Sequence, residues 1–449
     1  MLNDILAKTN PDESLLSHTR KALNIWNQVR EYHRKTLQTD DEFWFRSFLS
    51  VLFHDAGKLI HNFQEMIANK KSDNNIRHEF ISGMLLFINE VKFYETNPLS
   101  LFALFSHHKK LNNELFSNNS CMELRLEPEL FIEFFEFARG ETRRFMSREL
   151  NLKQKVVHHV AKNGIKKLYK QYKDIFFNPA SIRLQYQNRR EYIYYKAILT
   201  ISDWCASGHN KPIEGFSFSP ESLKQNIVDK LIEENKLINS EDFSFREFQT
   251  KSLVRHNVLA MAPTGSGKTE AALLWASRKN RQDKVIYLLP TRVTANAIYK
   301  RLQDYFSNKN VSIVHSSAFY LQKELNEASY QYIDYLRDKT FFKPFTICTI
   351  DQVLTMGFNM GYWELKSFHA INAKIIIDEI HLYSPYTLGL TVATMRYLKT
   401  EFSASFYIMS ATMPSKLLDL LSGTLSTDNL KIIEDKELLN QSNNIFEVR

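Results

Sequence analysis

The stretch MAPTGSGKTEAALLWA, residues 261–276, leaves the chain around it little choice of fold. It follows a short apolar run, NVLA, that reads as a strand, and it leads into a helical pattern. At its centre stand Thr264, Gly265, Ser266, Gly267, Lys268 and Thr269. The two glycines let backbone amides turn toward a phosphate, and the helix behind them presents the positive end of its dipole. Lys268 is placed to meet the β and γ phosphates of ATP, and Thr269 to hold Mg2+. Such a loop works between a buried strand and a helix, so a parallel α/β sheet is expected here. The neighbouring sequence agrees, because KVIYLLP, VSIVHSS, FTICTI, AKIIIDE and SFYIMSAT are short apolar runs alternating with amphipathic segments.

Two more strand ends carry chemistry. KIIIDEIHLYS, residues 374–384, closes an apolar run with Asp378, which can hold Mg2+ through water, and Glu379, which can polarise an attacking water. MSATMP, residues 409–414, closes another with Ser410 and Thr412. This order of motifs resembles a DExH helicase of superfamily two. Ala262 stands where the general loop pattern has glycine, a variant common in that superfamily. The resemblance implies that Gln249, in FREFQ, reads adenine. It also implies that Pro290, Thr291 and Arg292, with Thr349 to Leu354 (TIDQVL), grip the phosphates of a single strand.

The first ~205 residues read differently. Apolar residues recur at spacings of three and four in FWFRSFLSVLFHD and ELFIEFFEFARG, the mark of amphipathic helices. SGHNKPIEGFSFSPES, residues 207–222, is rich in Gly, Pro and Ser and reads as a linker. The expected architecture is multidomain. An all-α domain occupies 1–206, a linker and connecting helix 207–240, and an α/β RecA-like parallel-sheet domain 241–449. With 44% hydrophobic and 13% aromatic residues, disorder is not the default. Cys121, Cys205 and Cys348 form no CxxC pair, which argues against a disulfide framework. No secretory signal and no apolar run of ~18 residues is visible, so a soluble, cytoplasmic protein without a membrane partner is expected. The net charge of +8 is concentrated: residues 139–173 hold eleven Lys or Arg against two Glu. That run fits a path for a polyanion or a solvated helical face equally well.

Within the helical part, VLFHDAGKLI sets His54 beside Asp55, with Lys58 one turn on. SLLSHTRKALNIW adds His18, NIRHEFISG adds His78, LFALFSHHKK adds His107 and His108, and ILTISDWCASG adds Asp203. Imidazoles and carboxylates suit divalent transition metals, and a pair of such ions is a common device for phosphodiester cleavage. On a helix His54 and Asp55 would point ~100° apart, so each could face a different ion. The series resembles the HD superfamily of metal-dependent phosphohydrolases. An HD domain ahead of a DExH motor is similar to the CRISPR-associated helicase–nuclease of type I systems.

That resemblance implies a ligand set of His18, His54, Asp55 and Asp203 for one ion, and of Asp55, His78, His107 and His108 for the other. The ions would be Fe, Mn, Co or Ni. His158–His159 competes with His107–His108 for the paired role. Asp55, Lys58 and Glu379 would be catalytic, with Lys58 over the scissile phosphate, and the motor would use ATP with Mg2+. The implied partners are single-stranded DNA and the Cascade surveillance complex with its R-loop. Only 35 residues follow MSATMP, so the expectation is a chain that stops at the end of the first motor lobe, either a truncated form or one half of a split protein whose second lobe is a separate partner. Two other functions remain open: a different HD–helicase fusion in defence or repair, and an HD phosphohydrolase acting on nucleotides.

Overall fold

The computed structural model describes residues 2–9, 12–69, 77–89, 93–94, 97–108, 127–163, 186–208, 212, 216–277, 284–326 and 330–435. It separates into two units, Met1–Ile213 and Glu214–Arg449. Cys205 and Cys348 are buried, whereas Cys121 and residues 164–173 of the basic run lie outside the described residues. No helix among the described residues is long and apolar enough to cross a membrane.

The first unit is helical. Its helices are α1 (Leu15–His33), α2 (Asp41–Phe53), α3 (His61–Ala68), α4 (His78–Asn89), α5 (Leu99–Phe105), α6 (Pro128–Met146), α7 (Gln154–Asn163) and α8 (Tyr186–Gly208). Ser14 starts α1 by accepting the Ser17 amide, and Asp40 starts α2 by accepting that of Phe43 at 2.7 Å. Such caps satisfy orphan donors at a helix start and fix where the helix begins. The apolar spacing then buries Trp26, Trp44, Phe48 and Phe53 completely. Trp26 packs edge-on against Trp44 and Phe48 and donates its indole N–H to Ser47 at 3.0 Å. α1 and α8 lie along one another, α5 packs on α8, and α4 packs on α5.

One feature is additional to the helical expectation: a two-stranded antiparallel sheet of β1 (Leu6–Thr9) and β2 (Asp12–Ser14). Strands of four and three residues are too short for an alternating pattern to show.

Two glycines set the spacing of the elements around α4. A Cβ on Gly57 would lie 2.1 Å from the carbonyl oxygen of His78, so the first turn of α4 sits directly on the Gly57 backbone. A Cβ on Gly83 would lie 2.2 Å from the Phe105 ring, so the α4 backbone at Gly83 packs directly on that ring at the end of α5. Ser82 closes the junction: its hydroxyl donates to the His54 carbonyl at 3.0 Å and accepts the Gly57 amide at 2.7 Å.

The second unit is a seven-stranded sheet in the order β5-β6-β4-β7-β8-β3-β9, and every pair is parallel. The strands are β3 (Asn257–Met261), β4 (Val285–Leu289), β5 (Val311–Val314), β6 (Phe345–Thr349), β7 (Lys374–Asp378), β8 (Ser405–Ser410) and β9 (Leu430–Glu434). Six of them are the apolar runs visible in the sequence. The seventh, β9, is an edge strand with exposed Lys431 and Ile432, and it carries no continuous apolar run. The order brings the carboxyl ends of β7, β8 and β3 side by side, where open α/β sheets bind their ligands.

Gly57→Ala is expected to push α4 off its seat and cost roughly 1–3 kcal/mol, the usual scale of overpacking. A urea titration followed by circular dichroism reads this as a lowered midpoint; an unchanged midpoint would show that the α4 contact yields freely.

Candidate functional site

The His54–Asp55 pair stands at a helix exit. α2 ends at Phe53; His54 keeps helical angles at φ −52°, ψ −38°, and Asp55 leaves them at φ −106°, ψ 3° to open the turn Ala56–Leu59. The expectation of two residues ~100° apart on one helix is corrected here. The backbone changes course between them, and the two side chains converge, with His54 Nε2 3.5 Å from Asp55 Oδ2. His54 is fully buried, and its Nδ1–H donates to the Val51 carbonyl at 2.7 Å, which turns Nε2 inward.

Three other elements meet this exit. From α1, His18 Nε2 comes within 3.3 Å of His54 Nε2 and 3.7 Å of Asp55 Oδ2. From α8, Asp203 Oδ1 lies 3.2 Å from His18 Nε2 and 3.8 Å from His54 Nε2. From the start of α4, His78 Nε2 lies 3.2 Å from the other oxygen, Asp55 Oδ1. Beyond α5, His107 donates Nδ1–H to the Leu104 carbonyl at 2.8 Å, and its ring packs tilted against His108 and edge-on against His78, with centroids 4.0 and 5.6 Å away. His108 is the exposed member.

The side chains thus form two groups with one member in common. Ligand atoms of His18, His54 and Asp55 lie within 4.8 Å of one another, and so do those of Asp55, His78, His107 and His108. Asp203 borders the first group. His158, on α7, is exposed and belongs to neither group, and the His159 side chain lies outside the described residues.

The donor set fits divalent cations. Asp55 Oδ1, His78 Nε2 and His107 Nε2 are buried and make no hydrogen bond. An unsatisfied buried polar atom costs about 1–3 kcal/mol, and several converging ones are hard to explain without something positive between them. Imidazole nitrogen with carboxylate oxygen suits first-row transition ions, and ring nitrogens tied to carbonyls are the usual support for such ligands. Burial lowers the pKa of His54, and that of His107 falls well below the usual range, first through burial and then through His108 and His78. Both rings are therefore neutral, the form that binds metal. Burial would raise Asp55, but Lys58 Nζ at 2.7 Å, then His54 and His78, hold it well below the carboxylate range. Lys58 also donates to the Ala7 carbonyl of β1 at 3.1 Å. For His18, burial opposes the proton, but Asp203 and Asp55 outweigh it and raise the pKa.

The second unit holds the phosphate loop. Gly265 and Gly267 adopt φ of 83° and 84°, a left-handed region open to glycine at little cost. A Cβ at Gly267 would also meet Gln249 Nε2 at 2.2 Å. Gln249 is buried, donates to the Gly267 carbonyl at 3.2 Å and accepts the Arg246 amide at 2.9 Å. Thr264 is exposed, whereas Ser266 and Thr269 are buried. Lys268, first residue of the helix Lys268–Ala276, donates to the Ala262 carbonyl at 3.0 Å and pairs with Glu379 at 3.1 Å. Asp378 accepts the Tyr287 hydroxyl at 3.0 Å, and burial, then Glu379, pushes its carboxyl up to about 6. His381 joins neighbouring strand ends, with Nδ1 2.8 Å from Ser410 Oγ and 3.2 Å from Glu379 Oε2. Arg292 reaches the Ser316 hydroxyl at 3.4 Å, and Thr291 caps the helix Arg292–Phe306. Tyr287 escaped the sequence reading because an aromatic within an apolar strand reads as core.

Residues 247–420 match the DEAD/DEAH box helicase family model. A Cas3-named protein of Methanocaldococcus jannaschii is 27% identical over 417 residues, covering 86% of this chain and 56% of its own length. The CRISPR-associated nuclease/helicase Cas3 of Methanothermobacter thermautotrophicus is 27% identical over 413 residues, covering 82% and 48% respectively. The chain is a homologue of the Cas3 nuclease/helicases. It spans about half the length of these relatives. The crystal structure of T. fusca Cas3 shares the fold at a TM-score of 0.56 and 18% identity, over 95% of this chain and 51% of that one.

A ligand role for His18, whose pKa is raised, would give ion binding there a pH dependence. A proton on His18 competes with a cation for Nε2, so affinity should rise as pH passes upward through His18's pKa, above 6.5. Calorimetry of Mn2+ binding in buffers of different ionisation enthalpy should count a released proton below that pH and none above it. A pH-independent affinity would remove His18 from the ligand set.

Proposed function

We propose that this chain carries the metal-dependent nuclease and first motor lobe of a CRISPR type I effector that degrades invading DNA. The supporting observation is the Asp55 carboxylate, whose Oδ2 faces His18 and His54 while Oδ1 faces His78. His18, His54, Asp55 and Asp203 would hold one ion, and Asp55, His78, His107 and His108 the other. Bound there, two divalent ions supply Lewis acidity and a water ionised near neutral pH. Asp55 is the shared ligand. Lys58 keeps it ionised and contributes positive charge beside a docked phosphate.

In the helicase lobe, Lys268 and Thr269 would receive ATP with Mg2+, Asp378 would hold the hydrated ion, and Glu379 would orient the attacking water. Gln249 supports the loop from behind and is the adenine-reading candidate. Thr291, Arg292 and residues 349–354 would grip single-stranded DNA, and the recruiter would be a Cascade complex with its R-loop. These roles follow the resemblance, supported by the homology and by the contacts that join Lys268, Glu379, His381 and Ser410.

Asp55→Ala should abolish cleavage of single-stranded DNA, by more than about 100-fold, because loss of a shared ligand weakens both ion sites. ATP binding should stay intact. Metal content by mass spectrometry and a gel assay with Mn2+ check this, and wild-type cleavage with full metal content would show the site misassigned. Mononucleotides run in parallel separate this reading from a nucleotide phosphohydrolase.

Lys268→Ala should give the reverse pattern: nucleotide binding lost, measured with a fluorescent ATP analogue, and Mn2+-dependent cleavage of single strands within about two-fold of wild type. The two sites use residues of separate units, and equal loss of both activities would make them one catalytic entity.

A further inference from the structure

The short β1–β2 sheet has no counterpart in the sequence reading, yet it touches the histidine–aspartate cluster at two points. Ala7 on β1 accepts Lys58 at 3.1 Å. On β2, Glu13 is 7% exposed, and its Oε2 lies 3.4 Å from His18 Nδ1. Two ammonium groups compensate the buried carboxylate: Lys21 at 2.6 Å from Oε1 and Lys8 at 2.9 Å from Oε2. Lys8 also donates to the Ser207 carbonyl at 3.1 Å, which ties the strand pair to α8 just beyond Asp203.

We infer that Glu13 is the positioning residue of His18, holding the ring so that Nε2 faces the cluster and strengthening that nitrogen as a ligand. The inference rests on the reading of His18 as a metal ligand. A carboxylate beside Nδ1 favours the tautomer that carries its proton there and leaves Nε2 bare. It also makes Nε2 more basic than a neutral partner would, the recognised effect of carboxylates behind metal-bound imidazoles. His54 and His107 instead donate Nδ1–H to neutral acceptors, the Val51 and Leu104 carbonyls, at 2.7 and 2.8 Å, whereas His18 Nδ1 faces a charge at 3.4 Å without a hydrogen bond. Of the histidines in the cluster, His18 thus has the anionic contact nearest to its outer nitrogen, closer than the 3.7 Å between His78 Nδ1 and Glu79. Burying a carboxylate is costly unless it is paired, and Lys8 and Lys21 meet that need without touching His18. The strand pair therefore delivers one charged group to one ring.

The test uses the full chain stripped of metal and titrated with Co2+, with affinities from calorimetry and the cobalt visible spectrum as a signature of ligand field. Glu13→Gln keeps the shape of the side chain and removes the charge. It is expected to weaken one of the two ions by about 10- to 100-fold, the usual cost of losing such a partner. The cobalt bands should shift, and the metal-free chain should stay folded by circular dichroism. Lys21→Gln loosens the strand pair while leaving the carboxylate opposite His18, and should bind both ions with near wild-type affinity. Two results would overturn the positioning role: both ions bound as in wild type by Glu13→Gln while His18→Ala loses one, or Lys21→Gln losing as much as Glu13→Gln. Full binding of both ions by His18→Ala would instead refute the metal reading on which this inference stands.

Discussion

A carboxylate buried among histidines sets the terms for the whole helical unit. Asp55 is 1% exposed, and a lone charge in that position would cost several kcal/mol after relaxation. The charge is balanced by Lys58 on one oxygen, and imidazoles face both. Those imidazoles come from α1, from the α2 exit and from α4, and Asp203 from α8 closes the ring. Each helix must therefore present one particular turn to one point. The caps at Ser14 and Asp40, the Trp26 cluster and the α1–α8 contact are the means by which rigid rods meet that demand.

The sheet unit solves the same problem by another route. Its chemistry-bearing residues sit where parallel strands end, and the order β7-β8-β3 makes those ends neighbours without any further arrangement. His381, Ser410 and Glu379 show the result, since side chains from two strand ends already touch. Helices bring residues together by packing and sheets by adjacency, which explains why the two units read so differently in sequence.

The α/β unit was legible because its strands are buried on both faces, so six of seven appear as unbroken apolar runs. β9 was not, because three of its five residues are exposed. The helical unit was legible as helices from three- and four-residue spacing, and the cluster members were legible as residue types able to bind metal. Their convergence was legible only through the resemblance, because nothing in the local sequence around His18 or Asp203 shows that they lie 3.2 Å apart. The helix exit at Asp55 and the contribution of Glu13 depend on backbone paths that spacing rules do not describe. Tyr287 illustrates the remaining blind spot: a core residue whose hydroxyl happens to end at Asp378.

The glycine contacts bear on which substitutions the family line can tolerate. At position 57 the obstacle is a main-chain carbonyl, which no substitution elsewhere can shorten, so one methyl group is already too many. At position 83 the obstacle is the Phe105 ring, which can itself be exchanged. Residue 57 should then stay fixed through divergence, while 83 and 105 drift as a linked pair, one gaining bulk as the other loses it. Within a single cluster, one constraint freezes a site and its neighbour merely couples two.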